Sequence, residues 1–223
     1  MTFAPPTEKS NTFLEHWEGF KGHPYWPGTI SGITLDPGYD CGYVKPEQFV
    51  QDWRDEAGRG LLLVEPTRRL MSVCGLKGQA AEKVVRGLRD ILIPKAAARA
   101  VFRNVLVPRY QAQAMKAFPG VDTLMPDAQW ALFSLVYNRG ASTSDRDLGT
   151  DYEDPSTWRR QEMREIRALV AEGNLPAIAA QLWVMGHLWA GGDPSDDGLV
   201  RRRHEEAALI WPEVTKQMKG GKQ

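Results

Sequence analysis

FLEHWEGFKGHPYWPGTISGITLDPGYDCGY, residues 13–43, contains the change of pattern on which the fold turns. Phe13, Leu14 and Trp17 recur at helical spacing, and Phe20 extends the same apolar stripe. Glu18 falls in the last turn, just before Gly19. The negative end of a helix dipole disfavours a carboxylate, and apolar company adds a desolvation cost. A raised pKa is therefore expected for Glu18, which suits a general acid. From Gly22 onward, glycines and prolines puncture a run containing Tyr25, Trp26, Ile30, Ile33, Thr34 and Leu35, a pattern of short strands and tight turns. Thr34, Asp36 and Asp40 lie inside it. The expected arrangement is one carboxyl on a helix end facing a second carboxyl and a hydroxyl on a small hairpin. Two carboxyls across a cleft are the equipment for hydrolysing a glycosidic bond.

Outward from this stretch the chain reads as helices. Residues 1 to about 9 are expected to form a loose tail, and Thr12-Phe-Leu-Glu15 reads as a capping box that starts the first helix. Pro46 suits the first turn of a second helix with Phe49, Val50 and Trp53 on its apolar face. Further helical runs cover about Glu65 to Val73, a segment starting near Gly78, and a strong one opened by Pro94. Pro108 is expected to bend or restart that last helix. From Pro126, PDAQWALFSLVYNRG has no wide polar face and reads as a buried central helix. Ala141 to Ser156 is polar and acidic, the pattern of an exposed loop. Three helices close the chain, about Trp158 to Glu172, Leu175 to Leu188 and Asp196 to Trp211, and the final KQMKGGKQ is expected to fray. The sum is an α+β fold, mainly α-helical, as a single domain. A hairpin lobe over residues 10–60 carries the site, beside a helical body over residues 61–215.

Composition narrows the function. Lys+Arg and Asp+Glu balance at 28 each, so net charge lends no support to nucleic-acid binding. The eight Trp suit sugar stacking as well as a core. His16, His23, His187 and His204 form no HExxH pattern and have no cysteine cluster beside them, so no metal site and no cofactor are expected. A Ser-His-Asp hydrolase would lack its nucleophile-elbow sequence. Cys41 and Cys74, the two cysteines, are expected to be free thiols. The N-terminus has no secretory pattern and no run reaches membrane-span length, so synthesis in a bacterial cytoplasm is expected.

Glu18-Gly19-Phe20, then Tyr25, then Gly32-Ile33-Thr34-Leu35, resembles the active-site opening of phage-type lysozymes, glycoside hydrolase family 24. DAQWALFSLVYNRGAS resembles that family's central helix, and QLWVMGHLWAGGDPSDDGLVRRRHEEAALIW its closing element. The resemblance implies a lysozyme-like fold and a muramidase. Such an enzyme cleaves the β-1,4 bond between N-acetylmuramic acid and N-acetylglucosamine, with peptidoglycan glycan strands as partner. It implies Glu18 as acid, Thr34 as holder of the attacking water, and substrate contacts from Tyr25, Tyr39, Asn138 and Arg202. The family's usual Asp position falls near Pro27, where there is no acid, and its closing Gly-His reads Gly38-Tyr39. Pesticin-like muramidase domains carry their Asp a few residues after the Thr, an order that Asp40 fits. Asp36 is the second choice; it precedes Pro37 and suits the start of a DPGY turn.

For Arg201, Arg202 and Arg203 two readings stand: surface pairs with Glu205 and Glu206, or one arginine turned inward. A phage endolysin acting as a monomer is expected, made in the cytoplasm and acting in the periplasm or cell wall, with a holin in its system. The alternatives are an injected antibacterial effector with an immunity protein, a lytic transglycosylase needing Glu18 alone, and a non-catalytic glycan-binding relative.

Overall fold

The computed structural model describes residues 2–28, 30–145, 160–190 and 197–212. The remainder of the acidic stretch from residue 146, the expected start of a helix at Trp158, Asp196 and the C-terminal KQMKGGKQ lie outside the described residues. Among the described residues the architecture is α+β and mainly helical, with one small antiparallel sheet. Two compact units are formed, residues 18–109 and residues 1–17 with 110–223. The division thus falls at Glu18 and Arg109 rather than near residue 60, and most of the first helix belongs with the C-terminal half.

In the unit of residues 18–109, strand β1 (Thr34–Leu35) pairs antiparallel with β2 (Tyr39–Asp40), in the register Thr34 to Asp40 and Leu35 to Tyr39. Gly38 N donates to Leu35 O at 2.9 Å, so the turn runs from Leu35 through Asp36 and Pro37 to Gly38. Asp36 is therefore the second residue of the turn, not its first. Tyr25 joins as a third strand position by exchanging both backbone hydrogen bonds with Thr34, at 3.0 and 2.7 Å. The punctuation of the sequence made this region strand-like, but its glycines and prolines keep each paired run to two residues.

Helices α2 (Pro46–Asp52), α3 (Val64–Met71), α4 (Gln79–Val85) and α5 (Lys95–Val101) follow. Phe49, Trp53, Leu70, Ile33, Leu35 and Ile91 are buried and form the core of this unit. After α5 the helix widens into a π segment, Phe102–Leu106, before α6 (Val107–Ala117). Val107 N donates five residues back to Phe102 O. Pro108 explains this: it lacks an N–H, and its ring crowds the carbonyl four residues earlier, so the wider turn lets the helix continue instead of breaking.

In the other unit, α7 (Pro126–Arg139) is the central helix, with every residue from Ala128 to Val136 buried. Helix α10 (Asp197–Ile210) packs on it and on α9 (Leu175–Met185), and α8 (Gln161–Ala171) packs on α9. The first helix, α1 (Glu8–Glu18), starts a turn earlier than the Thr12 box predicts. Thr7 N bonds Ser10 Oγ at 2.9 Å while Ser10 N bonds Thr7 Oγ1 at 3.1 Å, a reciprocal cap. Nor are the first residues a loose tail. Phe3 is buried edge-on against Trp130, and Ala4 exchanges hydrogen bonds with the Gln129 and Trp130 side chains. Among the described residues, no helix is long and apolar enough to cross a membrane.

Candidate active site

Helix α1 ends on Glu18, and Gly19 follows in the left-handed region at φ 52°. That conformation favours glycine, and it turns the chain abruptly after the acid. The next amides are then captured. Lys21 N and Gly22 N both donate to Asp36 Oδ2, at 2.6 and 2.5 Å, and Asp36 is 2% exposed. Charge-assisted bonds of this kind are the strong ones. Asp36 thus fixes the chain that leaves Glu18.

Asp40 is held differently. Its Oδ1 accepts from Gly42 N at 2.7 Å and from Gly32 N at 3.1 Å, and Oδ2 takes the Gly32 amide at 3.2 Å. The bond from Gly42 N makes Asp40 the cap of the 3₁₀ turn Cys41–Tyr43. Gly32 and Gly42 are in backbone contact: a Cβ on Gly32 would come within 2.3 Å of Gly42 N and 2.5 Å of Asp40 Oδ1. Burial raises the Asp40 pKa above its ordinary value, against the opposing pull of the Gly42 and Gly32 amides and the Lys77 charge.

Tyr25 ties the acids together. Burial, then the charges of Asp36, Glu18 and Asp40, push its phenol up to about 12. All three carboxyls therefore lie within electrostatic reach of one ring, over which Lys21 Nζ sits 3.4 Å from the centroid. Thr34 is Tyr25's backbone partner and Asp40's cross-strand partner. Directly opposed residues of an antiparallel pair share a face. Glu18, Tyr25, Thr34, Asp36 and Asp40 are thus gathered in one unit. A shallow surface hollow lined by Thr7, Glu8, Lys9, Thr12 and Asp127 contains none of them.

Tyr39, expected to touch substrate, does not belong with this group. It is 1% exposed, edge-on to Phe49 and Trp53, and its hydroxyl donates to Asp52 Oδ2 at 2.7 Å. Arg109 and Gln48 complete the Asp52 shell at 2.8 and 2.6 Å. Burial and the Asp52 bond raise the Tyr39 pKa. Its work is to anchor β2. Tyr39→Phe is expected to cost about 1.5–3 kcal/mol of stability, the range for a lost bond to a charged partner. Urea unfolding checks this.

Asn138 and Arg202 lie in the other unit, Arg202 inside a buried charge cluster and Asn138 exposed at its edge. Arg202 is buried, and its Nε and Nη2 donate to Ser134 Oγ at 3.1 and 2.9 Å. Arg203 is fully buried, bonding Glu206 at 2.7 Å and Asn138 Oδ1 at 3.2 Å. Ser134 Oγ also donates to Glu206 Oε1 at 2.6 Å. Of the arginine triplet, two therefore turn inward, and Arg201 stays exposed with Glu205 at 3.7 Å. Burial lowers Arg203 to about 10 and raises Glu206, the charge of each opposing the shift in the other. The i,i+3 and i,i+4 spacing of Glu206 was visible in the sequence; Ser134 as the shared partner was not. Ser134→Ala removes one bond from Glu206 and two from Arg202, at an expected cost of about 1–3 kcal/mol. Thermal and urea melts of the variant measure it.

Among the described residues, no group of three or more His, Cys, Asp or Glu could hold a metal ion. No family model matches this sequence, and no curated protein matches it.

Proposed function

We propose that this protein is a muramidase that hydrolyses the β-1,4 bond between N-acetylmuramic acid and N-acetylglucosamine in peptidoglycan. The observation that carries the reading is the hairpin register, which pairs Thr34 with both Tyr25 and Asp40, with Asp36 on its turn bonded to the amides that follow Glu18. Glu18 is the general acid that protonates the leaving glycosidic oxygen. Asp40 activates a water on the opposite face of the sugar ring, and Thr34 steadies that water. An inverting mechanism of this kind requires the two carboxyls to stand about 6.5–9.5 Å apart to admit water. Asp36 orients the chain leaving Glu18 and takes no proton. The enzyme acts on the cell wall as an endolysin or an injected effector; a neighbouring holin gene or immunity gene distinguishes the two.

One observation favours a second reading. Both Asp40 oxygens accept backbone amides, so Asp40 could serve as a cap alone. Glu18 would then work unaided, as in a lytic transglycosylase. Digestion of purified peptidoglycan followed by mass analysis of the fragments tests both readings. Reducing muramic ends support hydrolysis, 1,6-anhydromuramic ends support the transglycosylase, and intact glycan overturns both.

A further inference from the structure

Directly after Asp40, the chain places one of its two cysteines against the other. Cys41 is fully buried in the 3₁₀ turn, and Cys74 is half-buried just beyond α3. Their backbones are clamped together, since Gly75 N donates to Cys41 O at 2.9 Å. The two thiols are near enough to perturb each other, raising the Cys41 pKa and lowering that of Cys74, and the Cys74 thiol donates to Leu70 O at 3.4 Å. Both cysteines are free. The backbone bond from Gly75 to Cys41 sets the two cysteine segments side by side, the proximity that a disulfide requires.

We propose that Cys41 and Cys74 form a reversible redox pair, in which Cys74 attacks a disulfide oxidant and Cys41 resolves the adduct. Cys74 is the accessible member, and acceptance of the Cys41 hydrogen bond holds its pKa below the usual thiol range. A small disulfide RSSR is the oxidant. The Cys74 thiolate attacks one sulfur, giving Cys74–S–SR and releasing RS⁻. Cys41 then gives up its proton to the departing thiolate, and its sulfur attacks Cys74 Sγ, expelling the second RS⁻. Two protein thiols are oxidised, and RSSR is reduced to two RSH. The new bond ties the turn that follows Asp40 to the end of α3. It would form when the chain passes from a reducing to an oxidising compartment. The proposal is independent of the muramidase reading.

The reduced full-length protein is incubated with oxidised glutathione, then denatured, alkylated and weighed. The expected product is monomeric, has lost two hydrogens, takes up no alkylating agent, and yields a Cys41–Cys74 cross-linked peptide. Two alkylated thiols, a persistent glutathione adduct on the native sequence, or a disulfide-linked dimer would each overturn the proposal. In Cys41→Ser, resolution is blocked, so glutathione should remain on Cys74. A Cys41→Ser protein that folds but gains no adduct would refute Cys74 as the attacking thiol. The wild-type measurement stands even if that variant does not fold.

Discussion

Glu18→Gln is expected to abolish glycan cleavage, with a loss of about 10³-fold or more, in the range that a positioned general acid contributes. The amide keeps the size and much of the polarity of the acid, but it has no proton to give the leaving oxygen. Glu18 is the last residue of α1 and only part-buried, so its replacement should leave the circular dichroism and the melting temperature close to wild type. Turbidity clearing of outer-membrane-permeabilised bacteria reads the rate. A folded Glu18→Gln protein that clears at nearly the wild-type rate would remove Glu18 from the acid role, and the muramidase proposal with it.

The second large effect separates the two aspartates. Asp40→Asn is expected to lower the rate by about 10²–10³-fold, because an amide cannot take a proton from water. Asp36→Asn should retain activity, since its amide oxygen can occupy the Oδ2 position and accept from Lys21 and Gly22. The loss there is charge assistance, about 1 kcal/mol of stability. This differs from the local turn bond expected of Asp36 from sequence, because the carboxylate bonds the segment after Glu18 rather than its own turn. An active Asp40→Asn beside a dead but well-folded Asp36→Asn would reverse the roles. Two active variants would favour the transglycosylase.

The pH profile carries an independent check on Asp40. A base must be ionised, so the rate should fall as pH drops through a pKa above the ordinary 3.8, and that limb should vanish in Asp40→Asn. Stability moves the other way. A folded pKa raised above the unfolded one favours folding at low pH, and that contribution is lost as pH rises through the folded value.

Much of this arrangement was legible in particular residues. The end of α1 at Glu18 followed from Gly19, and the hairpin from the density of Gly and Pro. The buried character of α7 followed from its unbroken apolar face. The start of α1 was misplaced because Thr7 and Ser10 cap each other within a wholly polar run, where no apolar period marks the helix. Tyr39 was misread because an aromatic after a turn signals nothing about its hydroxyl's partner, and Asp52 stands on a separate element, helix α2. The π segment before Pro108 was also hidden, since proline announces a disturbance but not its form. The division at Glu18 and Arg109 depends on contacts between distant segments, which local spacing does not encode.

The close approach of Gly32 and Gly42 has a consequence for how such a site can change. The carboxylate of Asp40 rests in a seat made by two residues that have no side chains of their own. Alanine at Gly32 would not simply loosen the protein; its methyl group would occupy the space of an Asp40 oxygen and of the Gly42 backbone. A mutational scan scored for lysis should therefore rank Gly32 beside the acids, although glycine can neither donate a side-chain proton nor accept one. The same holds for inheritance. Any lineage that keeps Asp40 in this place must also keep two absences, eight positions before it and two after, and the spacing of those absences is as specific a mark as the acid itself.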